Sequence, residues 1–544
     1  MVRSPTTLAR MGIRFVISSG ISREDSIQRL RDRTTPWDIV VIGGGATGVG
    51  VAMDAASRGL DVLLVEQSDF GKGTSSRSTK LIHGGVRYLR QGNFTLVRDA
   101  LRERTLLRNN APHLVHDMPF LIPCHSIWQR LFYGIGLKLY DFFAAGNNFG
   151  RSYGVSTNEA LRVVPALRRE GIRGGVVYHD GQFDDARLLL NMARTAHDQG
   201  ACLLNYMAVT DLTKSNARSI TGVTAIDQET NEIFQIKSRC VINAAGPFCD
   251  SVRKLDDASC ETMLAHSQGV HLVLPRTFFP GDTAMIVPKT PDGRVIFIIP
   301  WHGHAIVGTT DTPIPGATLE PVPQADEIQF LLDMAAAYLT KAPQIENVLS
   351  VFTGIRPLVK GDKSSRTASL SRDHAIRVSA SGLITITGGK WTTVRKMAED
   401  CVDRAVTEAS LSSANCKTQT LKLHGYLESP AENDPRGFYG ADLQAIMELE
   451  STSAELSEPM CESLLIRKSE IIWAVRHEMA RTVEDILARR TRSLFLDAAA
   501  ALKIAPAVAK LMAVELKQDE SWCQNQQAIF ESVAANYIPH VPPA

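Results

Sequence analysis

Short apolar runs rich in β-branched residues alternate along the chain with longer stretches whose apolar positions recur at helical spacing. Residues 38–42 have the composition of a buried parallel strand. Residues 46–58 read as a helix that Gly59 ends, and the apolar run 62–65 closes in Glu66. Residues 239–245 form another strand-like run, leading into Gly246 and Pro247. Across 266–320 the apolar runs are short and separated by turns (271–274, 294–300, 305–308), the pattern of an antiparallel sheet. Residues 383–387 predict one more strand, followed by Gly388, Gly389 and a helix over about 392–408. After residue 415 the character changes. Pro430, Asp434 and Pro435 mark a linker-like stretch, and Ile472, Val475, Met479, Val483 and Ile486 recur at helical spacing. The order predicts an α/β domain interrupted by a second domain and followed by a helical one.

The first strand runs straight into Gly43-Gly44-Gly45-Ala46-Thr47-Gly48, in which Gly43, Gly45 and Gly48 fit G-x-G-x-x-G. Gly43 permits a tight turn, Gly45 a close approach of backbone to a pyrophosphate, and Gly48 the packing of helix on strand. The helix N-terminus offers free N–H groups and a positive dipole end to phosphates. Glu66 stands at the end of the second strand, about twenty residues on, where an acid accepts a ribose hydroxyl. Strand, glycines, helix, strand and acid in one unit make a dinucleotide site. The motif alone does not choose between FAD and NAD. The next segment, residues 73–80, is dense in hydroxyls and backbone donors and runs into Leu81-Ile82-His83-Gly84-Gly85. It reads either as a wrap around a pyrophosphate reaching an isoalloxazine edge, or as a flexible polar loop.

With 544 residues the chain is long enough for two or three packed units. A formal net charge of +1 gives no field that would recruit nucleic acid. The nine cysteines include no close pair of metal or redox type, and Cys124, Cys202, Cys240, Cys249 and Cys401 read as buried thiols. No apolar run reaches the roughly 18 residues of a spanning helix. Residues 1–20 carry Arg3, Arg10 and Arg14 without an acid, and read as an N-terminal extension or a transit peptide, the extension being preferred. The aromatic stretch 128–143, interrupted by Lys138 and Asp141, reads as a membrane-surface helix or as a core element. The basic run Arg489, Arg490, Arg492 reads as a solvated helix end, with membrane or dimer contact as the alternative. His302 and His304, two apart on a strand, would share a face, and a surface strand is preferred to a metal site.

The motifs VIGGGATG (41–48), GTSSRSTKLIHGGVRYL (73–89), INAAGPFCD (242–250), GTTDT (308–312), TGIRPL (353–358), SRDH (371–374) and TGGKWTT (387–393) resemble those of the FAD-dependent glycerol-3-phosphate dehydrogenases. More broadly they resemble the flavin amine and amino-acid oxidase superfamily. The resemblance covers roughly residues 22 to 540. It implies a Rossmann-like FAD-binding domain (36–110, 180–265 and 351–412) interleaved with an antiparallel-sheet substrate domain (111–179 and 266–350). An N-terminal extension (1–35) precedes them and a helical C-terminal domain (413–544) follows. Gly43, Gly45, Gly48, Glu66, Thr74, Ser75, Ser76, Ser78, Thr79, Lys80, His83, Gly84, Gly85, Asp311, Gly389 and Thr392 are the expected FAD contacts. The helix after Gly389 would aim its N-terminus at the pyrimidine edge of the flavin, where charge develops.

A phosphate dianion needs several cationic or N–H donors in one place. The resemblance puts Arg87, Arg356, Arg372 and Lys390 around one cavity, with Tyr88 adding a hydroxyl. Oxidation of a secondary alcohol then needs a base within hydrogen-bond reach of the hydroxyl, and His271 is the candidate, with Arg356 easing the alkoxide's charge. The implied activity is oxidation of sn-glycerol 3-phosphate to dihydroxyacetone phosphate, with electrons passed to a membrane quinone. The implied setting is a homodimer attached peripherally to the inner face of a plasma membrane, or in mitochondria. The competing readings are an oxidase using O2 and a flavin-binding protein without catalysis. An amino-acid or sarcosine oxidase fits less well, because one carboxylate does not call for four cations.

Overall fold

The structure, a computed structural model, describes residues 20–85, 94–144, 149–288, 290, 294–360, 374–428 and 434–539. The strand Trp37–Ile42 lies at the centre of the first sheet, between parallel neighbours Val62–Val65 and Ile233–Asn243. Cys202–Leu204 extends the sheet on one side, Ile384–Gly388 and then His374–Val378 on the other. Residues 39–42, 62–65 and 240–242 of these strands are apolar and buried throughout because both faces are covered there. The helix Ala46–Ser57, of small residues, fits tightly against Asp185–Asp198 and Val394–Glu408 on one face. Residues 21–31, assigned to the extension from sequence, pack here too: the helix Arg23–Arg31 borders the first sheet, and buried Arg23 pairs with Asp227 at 2.9 Å.

The second sheet is largely antiparallel. Its spine is the pairing of Leu264–Pro275 with Ser350–Val359, in register from Leu264↔Val359 to Val273↔Ser350. That register sets Phe352 opposite His271 and Arg356 opposite Ser267. His304–Gly308 flanks the other edge of the same strand and sets Gly308 opposite His271. The C-terminal helices Lys468–His477, Ala498–Leu516 and Glu520–Ala534 share a core with this sheet that includes Ile471, Val508 and Phe530 beside Phe352 and Ile299, while Asp442–Ser451 packs with Trp473 and Tyr439 in a smaller cluster.

Two sequence readings are corrected. Arg489, Arg490 and Arg492 are not a solvated helix end: all three are buried, Arg490 completely. Arg489 pairs with Asp69 at 2.5 Å and with Glu484 and Asp485 at 2.7 Å each, Arg490 pairs with Asp69, and Arg492 with Asp185 at 3.0 Å. Burial pushes the Asp69 pKa up, but the two arginines outweigh it and hold the carboxyl well below its usual range. Asp69 and Asp185 come from segments hundreds of residues away, so the run itself does not show its burial. His302 and His304 do not share a strand face either. His302 sits in the turn between Ile296–Trp301 and His304–Gly308, and His304 opens the second of these strands; His302 Nε2 lies 3.0 Å from Asp184, and His304 Nδ1 2.8 Å from the His302 carbonyl. The five cysteines read as buried are buried and free. Among the described residues no helix is long and apolar enough to cross a membrane.

Candidate active site

The strand Trp37–Ile42 delivers the glycine turn to the carboxyl edge of the parallel sheet. Gly43 holds φ at +111°, and a Cβ on Gly48 would run into the Gly43 carbonyl oxygen. Only glycines let the helix start this close to the strand. At Gly45 a Cβ would meet just Ser75 Oγ, at 3.1 Å, and Gly45 has no side chain of its own to cap the helix. The backbone at the helix N-terminus is therefore open to a pyrophosphate. Ser75 Oγ accepts the Ala46 N–H at 2.9 Å. Glu66 accepts the N–H groups of Gly44 (2.6 Å) and Ser68 (2.9 Å); burial raises its pKa against these bonds. An acid so placed keeps acceptor capacity for a ribose hydroxyl.

The segment 73–85 is fixed at many points. Thr74 Oγ1 donates to the Ile355 carbonyl at 2.6 Å. Ser76 is buried, and Ser78 donates to Asp185 from its N–H and its hydroxyl, at 3.0 and 2.7 Å. Lys80 turns its side chain into the interior, where its ammonium donates to the Ser76 carbonyl and to Asp185, each at 2.7 Å. Thr392 Oγ1 accepts the His83 N–H and donates to the His83 carbonyl, both at 3.2 Å. The Gly84 N–H is shared by Tyr140 Oη at 3.0 Å and Asp180 at 3.2 Å, and Gly85 follows. Trp391 Nε1 donates to the Ser75 carbonyl at 2.9 Å. The turn after Gly389 and part-buried Lys390 is thus tied to both ends of the segment, and it opens the helix Val394–Glu408.

On the facing sheet His271 is 2% exposed. Its Nε2 lies 2.9 Å from Thr79 Oγ1, and its ring stacks on Phe352 with centroids 4.6 Å apart and 10° between planes. A Cβ on Gly308 would collide with the imidazole, so only glycine admits the ring at this strand pairing. Burial, then Lys80, then Arg356 hold the His271 pKa well below its ordinary value, so the ring is neutral at neutral pH. Arg356 is part-exposed. It donates to the carbonyls of Gln268 (3.2 Å) and Thr310 (3.0 Å), to Thr309 Oγ1 (3.2 Å) and to Asp311 (3.3 Å). Asp311 also accepts from Ser267 Oγ. Asp311 thus acts here on Arg356. The structure brings together the glycine turn, the 73–85 segment, His271, Arg356, Asp311 and Thr392. Arg87, Tyr88 and Arg372 lie outside the described residues. Asp185, Phe352 and Trp391 hold the site but do not stand out in the sequence as site residues, although Trp391 lies inside TGGKWTT.

A glycine-led nucleotide groove, roofed by a hydroxyl-rich segment and facing an antiparallel sheet, defines the class of FAD-dependent oxidoreductases. Residues 38–395 match the family described as "FAD dependent oxidoreductase", and residues 384–523 match "C-terminal domain of alpha-glycerophosphate oxidase". The chain is 40% identical over 534 residues to the mitochondrial glycerol-3-phosphate dehydrogenase of Bos taurus, covering 92% of this chain and 73% of that one. The solved glycerol-3-phosphate dehydrogenase from Bacillus halodurans complexed with FAD superposes with a TM-score of 0.78 at 29% identity, covering 97% of this chain and all of that one. An L-alpha-glycerophosphate oxidase from Mycoplasma pneumoniae with FAD bound superposes at 0.55 and 18% identity over 72% of this chain and 98% of that one, a likeness of fold alone. The chain belongs to the FAD-dependent glycerol-3-phosphate dehydrogenase family. Its cofactor is FAD, which the open backbone at Gly45 and the acid at Glu66 fit.

Proposed function

We propose that the chain oxidises sn-glycerol 3-phosphate to dihydroxyacetone phosphate, with His271 as the base and Arg356 as the cation beside the reacting oxygen, and passes the electrons to a membrane quinone. The observation that carries this reading is a buried imidazole and a part-exposed guanidinium on adjacent strands, with Thr79 of the 73–85 segment against the imidazole. Bound FAD supplies the hydride acceptor. The C2 hydroxyl gives its proton to the pair made by Thr79 Oγ1 and His271 Nε2, of which Thr79 is the more exposed member. Four acceptors fix the Arg356 guanidinium, so it lends charge to the developing alkoxide without first reorganising. Lys390, with Arg87, Arg372 and Tyr88 from the family motifs, is assigned to the phosphate. The names of the relatives support this substrate.

The quinone, peripheral attachment to a membrane and a homodimer belong to the same reading. The exposed apolar face of the helix Ile127–Phe143 supports the attachment, to the inner face of a plasma membrane or, as the relatives' names support, in mitochondria. Arg356→Ala tests the site. Its KM for glycerol 3-phosphate is expected to rise and its kcat to fall, each by about tenfold or more, with FAD retained. Kinetics like those of the wild type would remove Arg356 from the substrate.

A further inference from the structure

Apart from its field on His271, the Lys80 ammonium takes no step in the chemistry described so far, yet its burial is complete. Its ammonium is walled by the rings of Trp301, Phe352 and Phe495, with centroids 5.3, 5.0 and 5.3 Å away. Burying a lysine is costly, and local pairing alone does not demand this one. Asp185 already has Arg492 at 3.0 Å, and the Ser76 carbonyl already accepts from Arg492 at 2.9 Å. What the ammonium does have is a short path to the imidazole. Phe352 lies against both Lys80 and His271, and Thr79, the chain neighbour of Lys80, holds His271 Nε2.

We propose that Lys80 is a positioning residue for the alcohol oxidation, whose fixed ammonium keeps the His271 imidazole unprotonated in the pH range where a free imidazole would take up a proton. The proposal rests on His271 being the base. A second positive charge beside a first is unfavourable where water is excluded. The charged groups acting on His271 are Lys80 from the 73–85 segment and Arg356 from the strand Ser350–Val359. Asp311 stands behind Arg356 at 3.3 Å, Asp185 and Arg492 behind Lys80, and Gly308 faces the ring from the third strand. On the Lys80 side two cations share Asp185, with Asp184 3.8 Å from Arg492. Burial and Arg492 lower the Lys80 pKa to about 7 against the pull of Asp185. The ammonium is therefore charged below that pH, where the base needs protection.

The test uses the FAD-loaded full chain, with two readouts: the pH dependence of kcat/KM for glycerol 3-phosphate, and the His271 imidazole titration by nitrogen NMR, assigned with His271→Gln. Lys80→Met removes the charge and leaves Asp185 to Arg492; Lys80→Arg keeps the charge. In Lys80→Met the imidazole titration and the acid limb of kcat/KM are both expected to move up by about one pH unit. In Lys80→Arg both stay with the wild type. An imidazole titration unmoved in Lys80→Met overturns the proposal, whatever the rate does. A titration that moves while the acid limb stays supports the electrostatic link and removes His271 as the base. Lys80→Gln is read in the same way if Lys80→Met does not load FAD.

Discussion

His271 owes its state to residues far from it in the chain. Thr79 is 192 positions away and supplies the bond to Nε2, and the strand register brings Phe352 against the ring. The histidine was a candidate from sequence, since an alcohol oxidation needs a base. Its neutrality was not legible, because burial and two distant cations set it. His271→Gln is expected to lower kcat by about 10²–10⁴ with FAD still bound, and Thr79→Val by on the order of 10² because the connecting hydroxyl is lost. Stopped-flow reduction of the flavin checks both. Reduction at the wild-type rate in His271→Gln would place the base elsewhere. The arginines make the opposite case. Arg356, inside TGIRPL, was singled out from sequence and lies on the strand paired with that of His271, whereas Arg489 and Arg490 looked like surface charge and sit on a buried carboxylate, Asp69.

Elements were most legible where one local period carries the information. The strand, glycine turn, helix and second strand of residues 37–65 follow from apolar runs and glycine spacing alone, and the predicted helix over 46–58 is Ala46–Ser57. The docking of the helix Asp442–Ser451 against Asp185–Asp198 was not legible, because it runs through single polar residues. His424 is one: its Nδ1 lies 2.8 Å from Asp198 on the helix Asp185–Asp198, and its Nε2 3.2 Å from Asp442 on Asp442–Ser451. Burial works against its charge, but the hydrogen bonds to Asp198 and Asp442 outweigh that and raise its pKa above 6.5. A raised folded-state pKa gives stabilisation that is full below the unfolded value and is lost as pH rises through the folded one. The Tm advantage of the wild type over His424→Gln should therefore be largest near about pH 6 and shrink toward about pH 9. An advantage constant across that range would mean that His424 carries no proton-linked stabilisation.

At the scale of the whole molecule, the helix Ile127–Phe143 carries the densest run of exposed large apolar side chains among the described residues. Trp128 is 79% exposed, Phe132 60% and Phe142 75%, while Leu137 and Tyr140 are its buried anchors. The sequence left this stretch between core and membrane surface, since an aromatic helix reads alike in both settings until the packing is known. An exposed apolar face with a tryptophan near one end suits the boundary between headgroups and acyl chains. The protein is expected to float with anionic liposomes, and Phe132→Glu with Phe142→Glu to abolish flotation while FAD content is unchanged. Flotation that survives the double substitution would assign attachment to another surface. Domain order, too, was legible as a pattern of alternation, but the shared core of the second sheet and the C-terminal helices rests on side chains that no periodicity connects.

The central claim is that this flavoprotein takes hydride from sn-glycerol 3-phosphate, and the most direct measurement is the flavin absorbance after anaerobic mixing of the purified, FAD-loaded protein with that substrate. Rapid bleaching with formation of dihydroxyacetone phosphate is the predicted result; a folded, FAD-loaded protein whose flavin stays oxidised would contradict it.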